Sequence, residues 1–293
     1  MKFEGVMPAL VTPLNEDETL NREALQKLIE SLLAEGACGF YIGGATGEGI
    51  ALRREVREEL AECAVKTAAH RVPCIVHVAS VDFDEAKALA RHAEMIGADA
   101  VSAIPPIYFK YEKDDIYTYY KALASASHLP MMVYNTPAAG YVLDGAFAAR
   151  LFEIDNVTAV KWTSPRYDEM MRCLSLTHGE MNVINGPDES LLMGLSAGAH
   201  GGIGTTYNLM LPTVKEIYES FRKGEMEKAR AAQYRLTSFI SVLQKFRFTI
   251  PTTKAALEMR GFAVGSAAFP QHRFTKEEKK TIYREFVAAG MKP

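Results

Sequence analysis

The sequence predicts a (β/α)8 barrel with a C-terminal helical extension. Short apolar runs rich in β-branched residues alternate with amphipathic helical stretches along most of the chain. The alternation recurs eight times, roughly every 20 to 30 residues, which is the number of strand–helix units that closes a parallel barrel. The main competitor is a doubly wound nucleotide-binding sheet. It carries a GxGxxG or GxxxxGK[ST] fingerprint, and neither occurs here.

The elements follow in order. Residues 6–11 form the first strand, and Asn21 caps a helix to about Glu35 with Leu25, Leu28, Ile29, Leu32 and Leu33 on one face. A second strand at 39–42 precedes a glycine-rich turn and a charged helix over 53–67. Pro73 introduces the third strand, 74–78, and a helix over 84–96 follows. The fourth strand, 100–104, stops at Pro105-Pro106 before a tyrosine-rich helix over 113–126. Pro130 leads into the fifth, 131–134, followed by a helix over 144–152. The sixth, 156–164, precedes a helix over 166–176. The seventh, Asn182–Asn185, precedes one over 189–197, and the glycine-rich eighth, Gly201–Gly204, one over 211–222. Helical patterns at 225–245, 252–260 and 276–289 complete the chain. No Gly/Pro/Ser linker separates them, so residues 1–224 are expected to form the barrel and 225–293 an extension packed on it.

A chain of 293 residues that is 48% hydrophobic has enough apolar side chains for a large single core. Its net charge of −3, with both signs interspersed, offers no basic patch for nucleic acid and no polybasic arm for a membrane. No apolar run is long enough to span a bilayer, and the N-terminus has no signal-peptide pattern. The scattered Cys38, Cys63, Cys74 and Cys173 form no CxxC pair and read as reduced residues of a cytoplasmic protein. The histidines show no HxH or HExxH spacing, so no metal is expected.

The sixth strand, NVTAVKWTS, carries a lysine toward its end. An ammonium buried without a partner is unfavourable. Lys161 therefore reaches water, pairs with a carboxylate, or serves as an uncharged amine, a nucleophile suited to carbonyl carbon. In a barrel, reacting groups sit where strands end and the following loops begin. Tyr134 ends the fifth strand, MMVY, and faces the same mouth; it reads as a proton donor and acceptor, or as a satisfied core tyrosine. The turn GGATGEG at 43–49 reads as a tight turn or as a nest whose amides hold a carboxylate or phosphate. Tyr108 follows the fourth strand and fits aromatic packing. Asp188 and Glu189 after the seventh strand either start a helix or bind hydroxyls of a polyol. Loops after strands seven and eight often hold phosphate in such barrels, but only His200 adjoins the glycines at 201–204, which argues against a sugar-phosphate enzyme. Of Trp162 and Thr163, strand alternation turns one to the mouth and the other outward.

These motifs together resemble the lysine-dependent pyruvate aldolases typified by N-acetylneuraminate lyase and dihydrodipicolinate synthase. Residues 43–48 resemble the family's GxTGE loop, 133–137 its YNxP segment, 160–164 its Schiff-base strand and 201–208 its GGIGSTYN turn. The resemblance spans the whole chain. It implies an imine between Lys161 and pyruvate, Tyr134 as proton shuttle, backbone amides of Ala45 and Thr46 on the pyruvate carboxylate, a homotetramer, and no metal or organic cofactor. The family's hydroxyl relay joins Tyr134 with the tyrosine matching Tyr108. Ala45 stands where that relay commonly has serine or threonine, and Trp162 is bulkier than the family's residue after the lysine. The synthase places an arginine two residues after the proline of YNxP; here that position is Ala139. The run Asn185-Gly186-Pro187-Asp188-Glu189 resembles the lyase's NGxDE, and Thr205 stands at a serine of similar role. The implied substrate-contacting set is therefore Ala45, Thr46, Thr163, Gly186, Asp188, Glu189 and Thr205, with Lys161, Tyr134 and Tyr108 catalytic. The implied reaction cleaves a 2-keto sugar acid to pyruvate and a sugar-derived aldehyde, N-acetylneuraminate to N-acetylmannosamine first, a 2-keto-3-deoxy sugar acid next. A non-catalytic relative that senses keto acids is the alternative from another class; Ala45 favours it, and intact Lys161 and Tyr134 oppose it.

Overall fold

The computed structural model describes residues 2–246 and 248–291. Eight parallel strands are present: β1 (Gly5–Pro8), β2 (Phe40–Ile42), β3 (Cys74–His77), β4 (Ala100–Ala103), β5 (Met131–Asn135), β6 (Val157–Trp162), β7 (Asn182–Asn185) and β8 (Gly201–Gly204). Their order runs β1-β8-β7-β6-β5-β4-β3-β2. The ring closes where Ala9 bridges Tyr41 and the Leu10 amide donates to the Tyr41 carbonyl at 2.9 Å. Apart from Thr158, every strand residue is buried. Burial on both faces explains why the strands read as continuous apolar runs rather than as an alternation.

The outer ring is α1 (Arg22–Ala34), α2 (Arg54–Ala68), α3 (Phe83–Met95), α4 (Lys113–Ala124), α5 (Gly145–Leu151), α6 (Tyr167–Leu176), α7 (Leu191–Ser196) and α8 (Tyr207–Arg222). Side-chain caps set several starts. Asn21 accepts from the Ala24 amide, Asp82 from those of Asp84 and Glu85, and Asp144 from that of Phe147. Leu25, Leu28, Ile29 and Leu32 of α1 are buried as their spacing requires, while Leu33 is only partly buried. Truncating fully buried Leu25 to alanine is expected to destabilise by about 2–5 kcal/mol.

After the barrel come α9 (Met226–Lys245), α10 (Thr249–Met259) and α11 (Lys276–Ala288). Phe239 and Phe286 join α9 to α11 with ring centroids 4.6 Å apart. Among the described residues, no helix is long and apolar enough to cross a membrane.

Some boundaries differ from the sequence reading. β1 ends at Pro8, whose ring removes a ladder donor. The helix expected at 211–222 is preceded by a helical turn from Tyr207, and the two join across a kink at Met210 (φ −126°) near Pro212. α10 starts at Thr249, ahead of Pro251; a proline in a first turn forfeits no helical hydrogen bond. The stretch at 189–197 divides into a 3-10 turn, Asp188–Ser190, and α7.

Candidate active site

Tyr134 and Lys161 are register partners on β5 and β6, so their side chains leave the sheet on the same face. Lys161 is 5% exposed, with Nζ 4.2 Å from the Tyr134 ring centroid and 4.5 Å from that of Tyr41. It lies inside the ring of strands and forms no ion pair among the described residues. The two tyrosine rings meet edge to face at 5.9 Å.

The two phenols are not equivalent. Ser102 Oγ donates its single proton to the Met132 carbonyl at 2.8 Å. The 2.9 Å bond between Tyr41 and Ser102 must therefore be donated by the Tyr41 hydroxyl. Burial, with Tyr134 as a lesser cause, pushes the Tyr41 pKa well above the ordinary tyrosine value. Tyr41 is thus locked as a neutral donor to protein. Tyr134 has no such lock and lines a cavity.

Two cavities open at this mouth. One, about 350 Å³, is lined by Ala45, Glu48, His77, Ile107, Tyr134, Ala139 and Gln271, among others. The other, about 410 Å³, is lined by Thr163, Gly186, Asp188, Glu189 and Thr205, with Ile240, Leu243, Gln244 and Thr249 from the extension. A 2.7 Å bond between the hydroxyls of Thr46 and Thr205 joins the β2 loop to the β8 loop.

Each loop has a local cause. In the glycine-rich turn, a Cβ at Gly49 would lie 1.9 Å from the Gly43 carbonyl oxygen, so only glycine permits that closure. Among the described residues, the Ala45 and Thr46 amides donate to no protein acceptor, which leaves them free for an anion. After β5, β6 and β7 the ladder continues past the strands: the Thr163 amide donates to the Asn135 carbonyl at 2.8 Å and the Gly186 amide to the Trp162 carbonyl at 2.9 Å. A Cβ at Gly186 would lie 1.9 Å from Thr163 Oγ1, so glycine there lets two loops touch. Asp188 is buried; its Oδ2 accepts from the Thr206 amide (2.8 Å) and hydroxyl (2.6 Å). Burial raises its pKa to about 6 against those two bonds.

The structure thus gathers Lys161, Tyr134, Ala45, Thr46, Thr163, Gly186, Asp188, Glu189 and Thr205 around one mouth. Tyr108 stands apart. It is 87% exposed, has φ +85°, packs edge-on against Phe109 with centroids 4.9 Å apart, and lines neither cavity. Among the described residues it makes no hydrogen bond or ring contact with Tyr134. Trp162 is fully buried and, by strand alternation, points away from the face that bears Lys161.

Sequence reasoning missed Tyr41, His77, Glu48 and Gln271. His77 is 3% exposed, neither ring nitrogen has a side-chain or backbone partner at hydrogen-bond geometry among the described residues, and burial first, then Arg57 and Lys161, lowers its pKa to about 3. Arg57 also fixes that strand end by donating to the carbonyls of His77 (3.1 Å) and Ala79 (2.9 Å). A signal existed for Tyr41: like Tyr134, it is a tyrosine near the end of an apolar strand just before a small-residue loop. A single histidine inside an apolar run gives no comparable signal.

Comparison with known proteins agrees with this geometry. The profile of the dihydrodipicolinate synthetase family matches residues 2–289. The chain is 34% identical over 292 residues to the N-acetylneuraminate lyase of Rhizobium meliloti (strain 1021), covering 98% of this chain and 95% of that one. It is 37% identical over 245 residues to the N-acetylneuraminate lyase of Citrobacter koseri, covering 83% and 82%. Among solved structures, Proteus mirabilis N-acetylneuraminate lyase superposes with a TM-score of 0.94 at 29% identity over 100% of both chains. A catalytic lysine mutant of Ruminococcus gnavus sialic acid aldolase superposes with a TM-score of 0.92 at 29% identity, over 98% and 96%. The chain belongs to the dihydrodipicolinate synthetase family.

Proposed function

We propose that this protein is a Schiff-base-forming aldolase that cleaves N-acetylneuraminate to N-acetylmannosamine and pyruvate. The observation that carries the reading is the Lys161 amine, held inside the barrel 4.2 Å from the Tyr134 ring with the hydroxyl-binding cavity of Asp188, Glu189 and Thr205 beside it. The relatives named N-acetylneuraminate lyase support the choice of substrate. Ala139, an uncharged residue lining the Tyr134 cavity, speaks against a synthase-type acceptor that needs an arginine there.

In this reading the neutral Lys161 amine adds to the C2 ketone of the open-chain acid. Tyr134 delivers a proton to the carbinolamine hydroxyl, which leaves as water and gives an iminium. The free amides of Ala45 and Thr46 hold the carboxylate. Tyr134 or the substrate's own carboxylate then takes the C4 hydroxyl proton. The C3–C4 bond breaks, its electron pair passes into the enamine, and the aldehyde leaves. Protonation at C3 and hydrolysis release pyruvate and the amine. Thr163, Gly186, Asp188, Glu189 and Thr205 hold the hydroxylated tail. The lysine itself supplies the electron sink, so no metal or organic cofactor is part of the reading.

The same reading takes residues 1–224 as the barrel and 225–293 as an extension packed on it, in a cytoplasmic homotetramer. Tyr108 lies outside its own chain's cavities, so a relay role for it requires a second copy of the chain. A pyruvate-release assay across N-acetylneuraminate and 2-keto-3-deoxygluconate tests the substrate. Release from the first is expected; release from the second alone overturns the substrate and keeps the chemistry.

A further inference from the structure

A polar group of the extension lines the Tyr134 cavity and has no part in the scheme above. Glu48 closes the glycine-rich turn in a left-handed conformation, φ +60°. Its carboxylate pairs with Lys254 of α10 at 2.6 Å, and both side chains are 1% exposed. Lys254 also donates to the Ser266 carbonyl at 2.9 Å. Glu48 Oε2 accepts from the Ala268 amide at 2.7 Å and from the Gln271 side-chain amide. The turn proposed to hold the carboxylate is therefore clamped to the segment between α10 and α11.

The clamp fixes which way Gln271 faces. A carboxylate paired with an ammonium offers only lone pairs, so the end of Gln271 against Glu48 is its NH2. The carbonyl oxygen is the end left over. No protein donor reaches it among the described residues, and Gln271 lines the same cavity as Ala45, His77 and Tyr134. The lining mixes apolar Ile50, Ile104, Ile107, Ala138 and Ala139 with the polar side chains of Glu48, His77, Tyr134 and Thr136. An acceptor whose orientation the fold fixes selects for a donor in the ligand.

We propose that Gln271 is a specificity-determining residue, its amide oxygen accepting a hydrogen bond from a substrate hydroxyl, with Glu48 and Lys254 as the positioning residues that aim it. The assignment rests on the aldolase reading and deepens it: the ligand class is a hydroxylated chain, held on this side as well as on the Asp188 side.

The test runs the reaction toward condensation, with pyruvate and two aldehydes of equal carbon count, one hydroxylated and one aliphatic. The quantity read is the ratio of kcat/KM for the two, in wild type and in Gln271→Met, which keeps the volume and removes the acceptor. This ratio is internal to each preparation, so a partly unfolded variant leaves it unaltered. Loss of one neutral hydrogen bond is expected to shift the ratio about fivefold toward the aliphatic aldehyde. An unshifted ratio, including an equal loss on both aldehydes, overturns the assignment of Gln271 and leaves the aldolase reading standing. Failure of the wild type to form a borohydride-reducible adduct with pyruvate overturns the aldolase reading itself, and Gln271 with it.

Discussion

The molecule buries two lysines near one mouth and treats them in opposite ways. Lys254 is 1% exposed and has a carboxylate at 2.6 Å and a carbonyl at 2.9 Å. Lys161 is 5% exposed, its Nζ lies 4.5 Å and 4.2 Å from the ring centroids of Tyr41 and Tyr134, and it makes no hydrogen bond or ion pair among the described residues. Lys254 has its hydrogen-bonding partners supplied by the fold, so it is structural. Burial lowers its pKa, and Glu48 opposes that shift. Lys161 is given no carboxylate and no lock, which leaves its nitrogen free to form a bond. Burial alone does not mark a reactive lysine. What marks it is burial in which the fold declines to complete the group's bonding.

The largest expected effect belongs to Lys161. Lys161→Met, which keeps the apolar stem, abolishes pyruvate release in a turnover assay and changes stability by less than about 1.5 kcal/mol. The same substitution at Lys254 reverses the pattern. Lys254→Met strands the Glu48 carboxylate without its cation, and denaturant unfolding should show a loss of about 3–5 kcal/mol. If the Lys161 variant unfolds and the Lys254 variant does not, the contrast between the two lysines is wrong.

Asp188→Ala comes next. Removing a charged acceptor lowers kcat/KM for a long hydroxylated substrate by about tenfold to a hundredfold, measured against a short keto acid in the same preparation. Equal losses on both count against its role in holding the tail. The last expectation concerns pH. The Asp188 pKa is raised from 3.8 to about 6, so its stabilising contribution is present below the unfolded value and is lost as pH rises through about 6. The shift corresponds to about 3 kcal/mol at most. Thermal unfolding of Asp188→Asn between pH 4 and pH 7 should lack this term, giving a different slope from wild type. His77 acts in the opposite sense: its pKa is lowered from 6.5 to about 3, so its contribution is present above the unfolded value and is lost as pH falls toward 3.

The eight strands were legible because each is an apolar run with punctuation at its ends. Lys161 and Tyr134 were legible because each is a polar residue closing such a run. The Asp188 and Thr205 side of the mouth was legible from motif resemblance, although the bonds of Asp188 to Thr206 were not. The Glu48 clamp was not legible: its partners Lys254, Ala268 and Gln271 lie more than 200 positions away, and Glu48 reads locally as the charged end of a turn. His77 and Tyr41 were hidden by their surroundings, since a polar ring inside an apolar strand reads as core until the barrel shows which face it occupies. Tyr108 shows the converse. Motif position assigned it to the relay, and within a single chain it is 87% exposed, so that role is not legible from one chain alone.

The most direct measurement is borohydride reduction in the presence of pyruvate, followed by mapping of the modified peptide by mass spectrometry. The contrast between the two lysines predicts a single carboxyethyl adduct on Lys161, none on Lys254, and none in Lys161→Met. Absence of an adduct, or an adduct on any other lysine, would contradict it.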